Sequence, residues 1–169
     1  MHLDVVSCLS PVSAKGDVPF VASRPEDLCY SFTLPAAPRS PGVARATTRT
    51  VLRAHRLDDV AEPVVQVVSE LTTCAYRLSL TKEMYVSLRY RDAALRVTVY
   101  DGHPRHTHAR LGALCVLNRR ATLRLLDEVV RACRGDWGIG GAREPGGGTR
   151  MWAVLPRAGA VGYLGGGEV

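Results

Sequence analysis

The sequence predicts an α/β fold in which helices pack on one face of a mixed, mostly antiparallel sheet. Three observations carry that reading. Val60, Val64, Val67, Leu71, Ala75 and Leu78 recur at spacings of four, three, four, four and three, the period of an amphipathic helix. Met84, Val86, Leu88 and Tyr90, and then Leu95, Val97 and Val99, alternate with more polar neighbours as half-buried strands do. Trp137 and Ile139 ahead of "GGAREPGGG", with "TRMWAVLP" after it, read as a closing hairpin.

Taken in order, residues 1–26 are rich in turn formers and hold neither period, so they read as an N-terminal extension. "CYSFTLP" is a strand in which Tyr30 and Phe32 alternate with Ser31 and Thr33, ending at Pro35. Ser40 as N-cap and Pro41 at the first helical position open a helix whose stripe runs Val43, Thr47, Val51, Ala54. Asp58 or Asp59 caps the helix that carries the strongest periodicity. Asp92-Ala93-Ala94 turns the first hairpin. From Gly102 to Arg119, "GHPRHTHARLGALCVLNR" reads as a long irregular loop. A helix resumes through Leu123, Leu126, Val130 and Cys133. Residues 27–157 form the folded domain, and 158–169 a Gly-rich flexible tail.

At 169 residues and 46% hydrophobic, the chain can bury one core. Lys and Arg number 22 against 16 Asp and Glu, for a net charge of +6 and a pI near 9.4, which permits an acidic partner or nucleic acid without requiring either. The five cysteines are widely spaced and include no C-x-x-C, so neither a disulfide framework nor a zinc knuckle is signalled. No basic leader or long apolar run appears, and the expectation is a cytoplasmic protein with no membrane role.

A helix "VVSEL", two strands ending in "VTVYDGHP", a variable loop, a helix, then "WG" and "GGGTRMWAVLP" together resemble the actinobacterial relatives of anti-sigma-factor serine kinases. These belong to the superfamily of histidine-kinase and gyrase-type ATPases, and the likeness spans roughly residues 28 to 157. The resemblance implies a two-layer α/β sandwich of the histidine-kinase-type ATPase fold, ATP and Mg²⁺ as cofactors, and serine/threonine kinase activity on a sigma-factor regulator.

Residue by residue, the resemblance assigns Glu70 as catalytic base and Asp101 as acceptor for the adenine amino group, with Gly102 admitting the base beside it. Two departures follow. Cys74 stands where the family has its Mg²⁺-binding Asn, and a neutral thiol is a poor ligand for a cation that wants oxygen, so no metal residue is assigned. Arg120-Ala121-Thr122-Leu123 replaces the Gly-x-Gly that cradles phosphates at a helix start, leaving Arg119 and Arg120 as charge alone. With both gone, phosphoryl transfer has lost its positioning and its neutralising metal. The chain therefore reads as a cytoplasmic regulator that acts by binding a protein, with its ATP and Mg²⁺ site eroded.

The partner implied is a sigma factor or an anti-anti-sigma domain, and family members often form homodimers. An active kinase is the alternative, and a nucleic-acid-binding protein the second. The latter rests on Arg105, Arg110, Arg119, Arg120, Arg124, Arg131 and Arg134, but no helix-turn-helix, zinc-finger or RNA-recognition signature accompanies them. His103, His106 and His108, with Cys115 beyond, form H-x-x-H-x-H, which is not an established ligand pattern, so they read as exposed loop histidines. Trp137 and Trp152 read as packing the sheet against its helices.

Overall fold

The computed structural model describes residues 23–104, 106–142 and 147–164. After a 3-10 turn at Pro25–Asp27, the chain forms β1 (Cys29–Pro35), α1 (Ser40–Ala54), a second 3-10 turn (Asp58–Val60), α2 (Ala61–Leu78), β2 (Glu83–Arg91) and β3 (Ala94–Asp101). It continues with α3 (Ala109–Thr122), α4 (Arg124–Ala132), β4 (Asp136–Gly141), β5 (Thr149–Pro156), α5 (Arg157–Val161) and a last 3-10 turn (Gly162–Leu164). The expected extension lies outside the described residues up to position 22, as do 165–169 of the expected tail.

The strands make one sheet in the order β1-β2-β3-β5-β4, and every pairing is antiparallel. The expected mixed, mostly antiparallel sheet is corrected to one that is antiparallel throughout the described strands. Alternation sets the two faces. Met84, Val86, Leu88, Tyr90, Leu95, Val97, Val99, Met151, Ala153 and Leu155 point into the core, against α2 and α4. α2 is the central helix and is buried along most of its length, from Pro63 and Val64 through Leu71 to Cys74 and Ala75. Among the described residues, no helix is long and apolar enough to cross a membrane.

Four local expectations change. The buried stripe of α1 is Pro41, Ala44, Thr48, Val51 and Leu52, while Val43 is 49% exposed. Small Ala44 and Thr48 let α1 approach α2 closely, which outweighs the hydrophobicity of Val43. Ser40 lies inside α1, its hydroxyl donating to the Pro35 carbonyl at 2.5 Å, and Arg39 is the N-cap residue. Asp58 and Asp59 cap nothing; Asp59 instead pairs with Arg157 at 2.9 Å. Finally, residues 157–164 are folded: Ala160 is buried, and Gly159 lies so close to the Cys133 carbonyl that a side chain would collide with it.

The largest change concerns the segment read as a long loop. Within it, residues 102–104 and 106–108 lack regular structure, and from Ala109 the chain is helical for 14 residues. Ala, Leu and Arg favour a helix intrinsically, but of this helix's residues only Arg119 is buried, so no stripe advertised it.

Candidate functional site

The odd-numbered parity that turns Leu95, Val97 and Val99 inward also turns Asp101 inward, at the end of β3. Its carboxylate is 0% exposed and meets the Arg119 guanidinium of α3, 1% exposed, in a bidentate pair: Nη1 to Oδ2 at 2.7 Å and Nη2 to Oδ1 at 3.2 Å. The backbone N–H of His103 donates to Oδ1 at 2.9 Å. Both carboxylate oxygens are thus held by the protein. Arg119 also lies 3.5 Å from the Met151 sulfur, while its Nε is buried with no acceptor. Both side chains are buried, and the Arg119 charge is paired with Asp101.

The other residues singled out by the resemblance lie elsewhere around the same end of the sheet and helices. Cys74 is fully buried and its thiol is pushed up to about 11, mainly by burial, with Arg119 opposing. It is a neutral core residue at physiological pH. Glu70 is partly buried and accepts from Gln66 Nε2 at 3.0 Å; burial raises its pKa, while Gln66 and Arg77 oppose the shift. Gly102 does admit a close neighbour, but the neighbour is the Thr81 side chain, which occupies the space a Cβ would need. At the expected phosphate cradle, α3 passes into α4 through Leu123, which is fully buried, so no open loop remains there.

Three arginines of the expected basic cluster are engaged within the chain. Arg119 is internal, Arg120 stacks over Trp137 at 5.0 Å, and Arg131 pairs with Asp127 at 2.6 Å. Trp137 packs against the core and donates from Nε1 to Asp127 at 2.8 Å, as expected. Trp152 lies on the opposite face of the sheet, under the Arg96 guanidinium at 5.2 Å. That face holds an open basin of about 600 Å³, lined by Tyr85, Arg89, Arg96, Tyr100 and Arg150 among others. Its residues were separated in sequence by up to two strands. The visible signal was the polar half of each alternating strand, in which Arg89 and Arg96 fall opposite each other.

A second cavity, of about 280 Å³, opens beside the Asp101–Arg119 pair and is lined by His103, His106, Cys115 and Thr149. His103 Nε2 lies 3.1 Å from His106 Nε2 and 3.2 Å from Cys115 Sγ. Folding as a helix brings Cys115 back over the loop histidines, so the reading of these as unrelated exposed residues is corrected for His103. His106 is exposed, and His108 lies outside the group.

Comparison with models of known protein families and with curated proteins finds no match to this chain. The site must therefore be read from its own geometry. That geometry offers a sealed ion pair, a Cys/His cluster beside it, and a basic basin across the sheet.

Proposed function

We propose that the protein is a cytoplasmic regulatory module that binds a partner protein, built on the two-layer scaffold of the histidine-kinase-type ATPases, with nucleotide and Mg²⁺ functions lost. The observation that carries this reading is the Asp101–Arg119 pair. An adenine amino group needs a carboxylate oxygen facing a pocket, and the Asp101 side chain is 0% exposed and engaged by Arg119 and the His103 N–H. Opening the pair would strand a buried guanidinium and cost several kcal/mol, on the order of what a moderately tight nucleotide gains.

Two surface features support protein binding. Arg89 and Arg96 sit directly opposite on β2 and β3, an arrangement that costs stability unless an anion shares it. The basin around them suits an acidic protein surface of the kind a sigma factor or an anti-anti-sigma domain would offer. On α3, Leu111, Leu114 and Leu117 are each more than half exposed, an apolar surface of the sort that marks interaction sites. The aromatic residues of the basin also raise single-stranded nucleic acid as a ligand. Tyr85 and Tyr100 pack edge-on against each other at 5.8 Å, and Trp152 is covered by Arg96, which reduces the ring face left for base stacking. This favours protein.

Calorimetric titration with ATP and ADP, with and without Mg²⁺, tests the reading. The expected result is no binding at millimolar nucleotide. Micromolar, Mg²⁺-dependent binding would restore the kinase, with Glu70→Ala then expected to abolish transfer. Steep salt dependence of binding to random DNA would move the assignment to nucleic acid.

A further inference from the structure

The cluster of His103, His106 and Cys115 takes no part in the reading above. The three ligand atoms, two imidazole nitrogens and one sulfur, all lie within 4.8 Å of one another. A tetrahedral zinc site with ordinary Zn–N and Zn–S bond lengths sets its nitrogens about 3.3 Å apart and sulfur about 3.6 Å from nitrogen. The observed 3.1 Å between the Nε2 atoms and 3.2 Å from His103 Nε2 to Sγ are within a few tenths of an ångström of those values, and the third separation, from His106 to Cys115, is within 4.8 Å.

The surroundings prepare the ligands. His103 Nδ1 lies 3.0 Å from the Leu78 carbonyl, which can only accept, so Nδ1 carries the proton and Nε2 presents a bare lone pair. A hydrogen bond from one ring nitrogen to a backbone carbonyl is the arrangement that orients a metal-bound histidine. That single lone pair faces both His106 and Cys115, and one hydrogen bond can satisfy only one of them. Exposed His106 and the 280 Å³ cavity provide a way in.

We propose that His103, His106 and Cys115 bind one zinc-type divalent cation through Nε2, Nε2 and Sγ, with the fourth coordination position open to the cavity. Two imidazoles and a thiolate select zinc over Mg²⁺, which wants oxygen. Coordination also has a structural effect. Arg119 is the one buried residue of α3, so an ion joining Cys115 to the 102–108 segment fastens the helix at a second point.

The test uses the full chain, stripped of metal and titrated with zinc sulfate by calorimetry, and with cobalt chloride by absorbance. The expected result is one ion per chain, a thiolate-to-cobalt charge-transfer band, the visible bands of tetrahedral cobalt, and a higher melting temperature with zinc. Cys115→Ser should remove the charge-transfer band, and His106→Ala should weaken binding roughly tenfold or more. Because His106 is exposed, its replacement leaves the fold intact. His108→Ala and Cys29→Ser should change nothing. No zinc binding, or binding that survives the Cys115→Ser/His106→Ala pair, would overturn the assignment. So would equal loss in His108→Ala.

Discussion

Arg119 is the residue on which the site turns. A buried ion pair is rarely a net source of stability, because each ion loses its hydration, but removing one partner leaves the other charged and dry. Arg119→Met should therefore cost about 3–5 kcal/mol in urea unfolding, through the orphaned Asp101. Adding Asp101→Leu should recover most of that loss. A single variant within about 1 kcal/mol of the parent would show that water reaches the carboxylate. The sequence marked Asp101 as special at this position but gave it a different partner. Nothing in a linear reading pairs it with a guanidinium 18 positions on, in a stretch with no visible period.

At the scale of elements, the β2–β3 connection is a two-residue turn, Asp92-Ala93, with φ of 52° and 55°; Ala94 belongs to β3 rather than to the turn. Positive φ at both positions is the type I′ arrangement that suits the twist of a hairpin and that glycine adopts without strain. Ala93→Gly should stabilise the fold by about 1 kcal/mol, read as a higher denaturation midpoint at unchanged slope. A loss of stability would mean that the Ala93 backbone, whose carbonyl accepts from Arg157 N at 2.9 Å, holds its conformation by other means. β2, β3 and α2 were legible because their burial follows a simple period. α3 was not, since its apolar residues Leu111, Leu114 and Leu117 face outward and its anchor is an arginine.

Across the whole molecule, the helices cover one face of the sheet and the other face stays open. The net charge of +6 is not evenly useful: several arginines of α3 and α4 are engaged internally, whereas Arg89 and Arg96 stand together on the open face. Arg96→Glu should relieve the like-charge opposition and raise stability by roughly 0.5 kcal/mol. It should also slow association with an acidic partner and flatten the salt dependence of that association. Unchanged partner binding in this variant would move the interface to the apolar surface of α3.

The sequence by itself determined the α/β class and the presence and buried faces of α2, β2 and β3, because each follows from a local repeat that burial enforces. Tertiary structure alone decided the antiparallel order of all five strands, the partner of Asp101, the meeting of Cys115 with His103 and His106, and the pairing of arginines across the open face. These depend on where α3 packs and on how distant strands register. Such contacts join residues far apart in the chain and leave no periodic trace in it.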